Sequence, residues 1–285
     1  MSTISSMNEP ENPSLELGAA DAEAIGFDAA DYWRRRLAGE DRRLERLRRW
    51  MLRMPAAPRC KICHAPFEAW GGTAARLIGR PASPDNPLLC EPCMANVEAN
   101  PGGADVEVSI VFTDIRQPAA SADRGRASEA IARLHRSAAR AIDRNGGIVD
   151  ALGGNGITAI FISDTAGENH AERAIASARD LFAAASHAGL SGTGIQLAAG
   201  LNSGRAYVGS IQNGAGLDFA ARGDCVTIAM KLGAAATAGE ALISLATWRQ
   251  HGGPVAKSRQ RTVPIPGMLQ PVEAVVVRAD IEAKL

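Results

Sequence analysis

The spacing of hydrophobic positions in residues 26–58 predicts a helical arm. Apolar side chains recur there every three or four residues, which is the period of one helix face, and the pattern is interrupted near Gly39. The apolar positions are Trp33, Leu37, Leu44, Leu47, Trp50, Met51 and Met54. Because arginines fill many of the other positions, we expect a basic amphipathic arm. Such an arm packs on its own protein or a second copy, or it engages a partner protein or a membrane surface.

The rest of the chain alternates strand-like and helix-like segments. A β-rich run over 106–115 precedes a helical pattern over 127–145, and Asn155-Gly156 indicates a hairpin between two short strands. Further helices are predicted over 170–188 and 223–236, with a strand pair turning at 202–204 and closing strands over 241–245 and 271–278. This order is typical of an α+β fold in which helices pack on a mostly antiparallel sheet.

Composition and charge exclude several classes of function. The chain has 31 basic and 31 acidic residues, so no overall positive field would hold it on a nucleic acid. No apolar run reaches the roughly 18 to 20 residues that span a bilayer, and the polar, acidic N-terminus does not resemble a secretory signal. We therefore expect a cytoplasmic protein with no transmembrane segment and no nucleic-acid partner.

The neutral total hides a segregated charge. Residues 1–25 carry five acids and no base, whereas residues 26–59 carry ten arginines and five acids. The acidic stretch has little to bury, which predicts a disordered leader over 1–25. The basic arm could pair with this leader or bind an acidic partner protein.

Four cysteines form two C-x2-C pairs, namely Cys60, Cys63, Cys90 and Cys93. Two residues between paired thiolates let both sulfurs point at one ion, and two such turns complete a tetrahedron. The pattern predicts a module over 59–104 with a structural zinc site that supplies much of its folding energy. Iron or an iron–sulfur centre is the alternative metal. Cys-x-x-Cys-His at 60–64 also matches the c-type haem attachment motif, which leaves the second pair unexplained.

Two other features, Cys225 and residues 258–264, are interpreted as structural rather than functional. Cys225 stands alone at a predicted helix start, which favours a small buried hydrophobic side chain over a redox thiol. The stretch over 258–264 is basic and is interpreted as a solvated loop before the last strand.

Five segments resemble the class III adenylyl/guanylyl cyclase homology domain, in the order of that family. They are VSIVFTDIR at 108–116, GGIVDALGGNGITAIF at 146–161, HAERAIASARDL at 170–181, GLNSGRAYVGSI at 200–211 and DFAARGDCVTIAMKL at 218–232. The cysteine segment resembles a module that precedes the cyclase domain in a set of bacterial cyclase-like proteins. The resemblance implies a ferredoxin-like cyclase catalytic-domain fold over 105–250, after the arm at 26–58 and the cysteine module, with a C-terminal extension at 251–285 that carries a closing strand.

The resemblance also implies the positions of a nucleotide site. In the family, two carboxylates hold two divalent ions, which activate the ribose 3′-hydroxyl and neutralise the triphosphate. The first carboxylate matches Asp114, a candidate ligand for residual Mg²⁺ or Mn²⁺, and the second matches Asn155. Hard cations prefer anionic oxygen, so the asparagine removes the charge that the second position needs.

The remaining family positions are substituted as well. The base-reading lysine matches Ala151 and its partner matches Ala220, and neither methyl group can hydrogen-bond to a base. The ribose-orienting asparagine matches Thr227. The phosphate-binding arginine matches Lys231, which keeps the charge but loses the planar bidentate geometry.

Family active sites form between the chains of a head-to-tail homodimer, and here both halves of the site are changed. The sequence therefore favours a non-catalytic pseudo-cyclase that acts as a dimeric signalling, regulatory or ligand-binding module. The alternative is an active adenylate or guanylate cyclase that converts ATP or GTP to a cyclic nucleotide and pyrophosphate with a divalent-metal site of unusual composition.

Overall fold

The computed structural model describes residues 28–54, 58–116, 124–153, 156–188, 190, 193–213, 216–253 and 259–278. The leader predicted at 1–25 and the site position Asn155 lie outside the described residues.

Two short helices form the N-terminal arm, α1 (Ala29–Leu37) and α2 (Arg42–Met51). The predicted interruption is confirmed, because Gly39 lies between them with a left-handed φ of 80°. The carboxylates of Asp28 and Asp41 accept backbone N–H groups at the N-termini of the two helices, which satisfies donors that lack partners inside the helix.

The apolar stripe of the arm packs on its own protein. Trp33 is fully buried, its Nε1 donates to the carbonyl of Asn100 at 3.0 Å, and its ring centroid lies 5.7 Å from that of Phe219. Met51 is equally buried, but Trp50 is 45% exposed, so its assignment to the stripe is wrong. Consecutive residues of a helix point about 100° apart, and Met51 takes the inward direction.

The cysteine module follows the arm and contains two helices, α3 (Ala69–Leu77) and α4 (Glu91–Ala99). Isolated β-bridges join Arg59 to Pro66 and Ala82 to Cys90, so each cysteine pair lies in a short turn next to a bridge.

Eight strands form one sheet. They are β1 (Gly102–Arg116), β2 (Ile148–Gly153), β3 (Gly156–Ile162), β4 (Gln196–Asn213), β5 (Gly216–Arg222), β6 (Glu240–Ser244), β7 (Gln260–Val263) and β8 (Val272–Arg278). The hydrogen-bonded order is β2-β3-β1-β4-β6-β8-β7, and β5 pairs with β4 outside this path. Among these pairs, β4 and β6 run parallel and the others antiparallel, which confirms the predicted mostly antiparallel sheet.

The remaining helices are α5 (Arg124–Arg144), α6 (Ser163–Ala166), α7 (His170–His187), α8 (Asp224–Ala235) and α9 (Leu245–His251). The three long ones agree with the predicted helices to within a few residues. The two short ones were not predicted, because four to seven residues are too few to display a helical period. In the part of the chain that the structure describes, no helix is long and apolar enough to cross a bilayer.

Both faces of the sheet are covered. Helices α5 and α7 pack against one face, where Val111 and Phe161 are buried, and the arm and cysteine module pack against the other, where Val108 and Ile110 are buried. Side chains alternate along a strand, so Asp114 points to the same face as Val108 and Ile110. The candidate nucleotide site therefore shares a sheet face with the arm and the cysteine module.

The turn predicted at 202–204 is wrong, because β4 runs through it without a break. In the antiparallel pairing with β1, Asn202 lies opposite Ile110 and Ser203 lies opposite Ser109. Their polar side chains have buried partners: Asn202 Nδ2 donates to the carbonyl of Cys225 at 3.2 Å, and the Oγ atoms of Ser203 and Ser109 lie 2.6 Å apart. Interior hydrogen bonds, rather than a turn, account for the polar residues in this strand.

The loop predicted at 258–264 is also wrong in its described part, because β7 occupies Gln260–Val263 and pairs with β8. Arg261 Nη1 lies 3.0 Å from the buried Glu240 carboxylate, and Arg278 contacts the same group at 3.3 Å. Burial raises the pKa of Glu240, but hydrogen bonds from Thr237 and Arg261 outweigh it and lower the pKa to about 2. The ionised Glu240 therefore holds the ends of β7 and β8 to β6.

We predict that Trp33→Ala lowers the free energy of unfolding by about 3–5 kcal/mol, because it removes a large buried side chain and leaves a cavity between arm and sheet. Chemical denaturation of the full chain measures this loss. Trp50→Ala is the matched control and is expected to change the stability by less than about 1 kcal/mol. Equal losses for the two variants would contradict the described packing of the arm.

Candidate functional site

Four buried cysteines converge at one point in the cysteine module. Each is at most 4% exposed, and their Sγ atoms all lie within 4.8 Å of one another. The Sγ atoms of Cys63 and Cys90 are 3.5 Å apart. Four sulfurs that surround one zinc ion at about 2.3 Å are separated by about 3.8 Å, so the cluster fits a tetrahedral metal site.

Local backbone geometry aims each pair at this point. At the first pair, the backbone N–H of His64 donates to the carbonyl of Cys60 at 3.0 Å, and the N–H of Cys60 donates to the carbonyl of Ala65 at 2.9 Å, which closes a tight turn. At the second pair, Cys90 is the N-cap of α4 and Cys93 lies in its first turn. A helix N-terminus favours negative charge, so this position favours thiolates.

The four buried thiols influence one another's protonation. Burial raises the pKa of the Cys60 thiol, whereas hydrogen bonds from Cys60 and the other two cysteines lower the pKa of the Cys63 thiol. A metal ion bound by all four sulfurs would compensate the charge of the thiolates. Convergence of all four sulfurs also opposes the haem alternative, which uses only Cys60 and Cys63.

Asp114, which the resemblance assigns to the first family carboxylate, lies near the end of β1 between Gly156 of β3 and Ala198 of β4. Arg116 Nε donates to its Oδ2 at 2.7 Å. The same guanidinium donates through Nη2 to the carbonyls of Gly233, Ala234 and Ala236 at 3.3, 3.0 and 2.8 Å, at the C-terminal end of α8. Asp114 is thus neutralised by a cation from its own chain, and that cation also binds the negative end of a helix.

The other predicted positions carry little polar chemistry. Ala151 is exposed on β2, and Ala220 is half-buried on β5 opposite Gly209. Thr227 and Lys231 are exposed on α8, and Thr227 Oγ1 donates to the carbonyl of Gly223 in its own helix at 3.4 Å. Within the described ranges, the four cysteines are the one group of three or more His, Cys, Asp or Glu side chains placed to share an ion. Asp114 therefore belongs to no such group among the described residues.

Sequence reasoning missed a buried charged cluster between the cysteine module and the sheet. Lys61 Nζ lies 2.8 and 2.9 Å from the carboxylate oxygens of Asp218, 3.5 Å from Asp150 and 3.2 Å from the carbonyl of Phe219. Asn86 Nδ2 donates to Asp218 at 2.7 Å. Burial raises the pKa of Asp150, and the charge of Lys61 opposes this rise. The available signal was a lysine between two ligand cysteines and an aspartate within an apolar strand.

Two further buried ion pairs tie the arm and the cysteine module to the sheet domain. Arg48 of α2 pairs with Asp164 of α6, and its Nε donates to the carbonyl of Ile62 at 2.6 Å. Arg59 Nε lies 3.2 Å from Asp143 of α5. These pairs are almost fully enclosed, so removal of one partner would leave an uncompensated buried charge.

Cys225 is separate from the metal cluster. It is buried at the start of α8, its Sγ lies 3.7 Å from the carbonyl of Asn202, and burial raises its pKa to about 12. A thiol that stays protonated is a poor nucleophile, which agrees with its interpretation as a small buried hydrophobic side chain.

Solved structures with the same fold are adenylyl and guanylyl cyclases. The guanylyl cyclase Cya2 matches with a TM-score of 0.56 and 24% identity, over 62% of this chain and 94% of that chain. The adenylyl cyclase CyaB from P. aeruginosa matches with a TM-score of 0.54 and 20% identity, over 61% of this chain and 94% of that chain. No protein-family model matches the chain, and neither does any curated protein. The chain therefore has the class III cyclase catalytic-domain fold, together with a four-cysteine cluster.

Proposed function

We propose that the protein is a pseudo-cyclase, in which the class III cyclase fold serves signalling, regulation or ligand binding without turnover. The observation that carries this proposal is the pairing of Asp114 with Arg116. Arg116 binds one oxygen of this carboxylate and places a positive charge beside it, which weakens a cation site there, and the residue at the second carboxylate position is Asn155. Without two anionic ligands, the site lacks the charge that two divalent cations need.

The base and phosphate positions support the same conclusion. Ala151 and Ala220 offer no hydrogen-bonding group to a purine. Lys61 is the lysine that enters this part of the sheet, but its side chain is only 1% exposed and its ammonium is bound by carboxylates. It therefore does not replace the missing base-reading lysine. Losing one catalytic group commonly costs about 10²- to 10³-fold in rate, and several positions are changed here.

The four-cysteine cluster holds zinc in this proposal, with iron as the alternative. Four thiolates in a tetrahedral arrangement suit both metals. Zinc is preferred because it is not redox-active, as suits a structural site. A bound metal would crosslink the turn at 60–63 to the N-terminus of α4. Its role here is structural, because four protein ligands leave no open position for a substrate. Mg²⁺ or Mn²⁺ belongs only to the alternative function, with Asp114 as its ligand.

A head-to-tail homodimer is the proposed assembly, on the resemblance to the cyclase family. The outward face of α2 supplies a second interaction surface. Trp50 is exposed there, together with four arginines, Arg42, Arg43, Arg46 and Arg49. The apolar face of this helix is already buried, so electrostatic attraction to an acidic protein partner is the proposed use of the arm.

We predict no cyclic nucleotide above background when the full chain is incubated with ATP or GTP and Mn²⁺, the most permissive metal for this chemistry. Chromatographic separation of the products measures turnover directly. Cyclic nucleotide formation by the wild-type chain that disappears in Asp114→Ala would contradict the pseudo-cyclase and support the active cyclase with an unusual metal site.

We also predict about one zinc ion per chain by elemental analysis, since one tetrahedral site takes all four thiolates. Cys90→Ser should lower the zinc content, whereas Cys225→Ser, the matched control outside the cluster, should retain it. Stoichiometric iron would replace the zinc assignment, and a metal-free chain with four reactive thiols would refute the site.

A further inference from the structure

The turn that carries the first two metal ligands also carries the contacts to the sheet domain. Lys61 lies between Cys60 and Cys63, and Arg59 and His64 flank the pair. Lys61 reaches Asp150 and Asp218, and Arg59 reaches Asp143 at 3.2 Å. His64 Nδ1 lies 3.7 Å from the same Asp143, too far for a hydrogen bond. Metal-ligating cysteines and residues that contact the sheet domain are thus interleaved along residues 59–64.

Among the described residues, Lys61 is the cation that contacts both carboxylates, and the charge of Arg222 also acts on Asp150. Its ammonium contacts the carboxylates of Asp150 and Asp218 and the carbonyl of Phe219, and its side chain is 1% exposed. Asn86, also from the cysteine module, donates to Asp218. If this module withdraws, two carboxylates lose their buried cation, and one of them also loses its amide donor. Without the ammonium the two negative charges repel one another, so the strands that carry these aspartates are expected to separate.

Those two strands contain the positions that the family resemblance assigns to base recognition. Asp150 immediately precedes Ala151 in β2, at an irregularity in the register between Val149 and Ala151. Asp218 lies two residues before Ala220 in β5, and the intervening Phe219 carbonyl accepts from Lys61. The cysteine module therefore contacts both strands next to the positions that face a nucleotide in cyclases.

We infer that Lys61 couples the metal occupancy of the four-cysteine site to the order of β2 and β5, so that the cysteine module controls these two strands of the cyclase-like sheet. Lys61 is a positioning residue, since it touches neither metal nor nucleotide. The metal fixes the turn at Cys60 and Cys63, and the turn places the ammonium between the two carboxylates. This inference rests on the metal site of the proposed function and holds whether or not the chain turns over a nucleotide.

Hydrogen–deuterium exchange of the full chain tests the coupling, with metal content measured on each sample. After removal of the metal with a chelator, exchange should rise at least about tenfold in peptides covering β2 and β5, because the two aspartates lose the cation between them. Peptides covering β6 and β8 should keep their exchange rates, since these strands are joined to each other by Glu240 and Arg278 and carry none of the described partners of Lys61.

Lys61→Met is the decisive variant, and Lys231→Met, which changes an exposed lysine, is its control. Metal-loaded Lys61→Met should exchange in β2 and β5 as fast as chelated wild type while it retains its metal, and Lys61→Arg should restore part of the protection. Unchanged exchange in β2 and β5 after removal of the metal from the wild-type chain would overturn the coupling. This comparison does not depend on the folding of any variant. A purified chain that never contained metal would instead refute the metal site itself, and the metal analysis distinguishes the two failures.

Discussion

The convergence of four thiols is the constraint on which the rest of the structure depends. Cys60, Cys63, Cys90 and Cys93 are buried within 4.8 Å of one another, in a module with few large apolar side chains of its own. A metal ion can supply both the missing charge and the missing crosslink. The same turn presents Arg59 and Lys61 to the sheet domain, so the cluster also sets how the module covers the sheet.

Internal ion pairs occupy the face of the sheet that carries the nucleotide site in cyclases. Asp114 is neutralised by Arg116, and Asp150 and Asp218 share Lys61. A carboxylate that holds no metal ion is exposed, protonated or paired, and in this chain each of these three aspartates is paired. The carboxylates on that face of the cyclase fold thus have partners within the protein.

The fold was largely predictable because its signals are local. The period of the arm, the glycine-rich hairpin and the C-x2-C spacing each constrain a short segment, and the order of the five cyclase-like segments constrained the sheet. The prediction failed where distant contacts decide the structure. Asn202 and Ser203 looked like turn residues, but their hydrogen bonds to Cys225 and Ser109 keep β4 continuous. Lys61 and Asp218 are far apart in sequence, so no spacing rule could bring them together.

We propose that Asp114 binds Arg116 and no divalent metal ion. Titration of the full chain with Mn²⁺, followed by the electron paramagnetic resonance signal of the free ion, tests it without any requirement for turnover. We predict that wild type and Asp114→Asn take up the same amount of Mn²⁺, because the charge of Arg116 opposes a cation at Asp114 and Asn155 supplies no second anion. A Mn²⁺ site in wild type that Asp114→Asn abolishes would contradict this account.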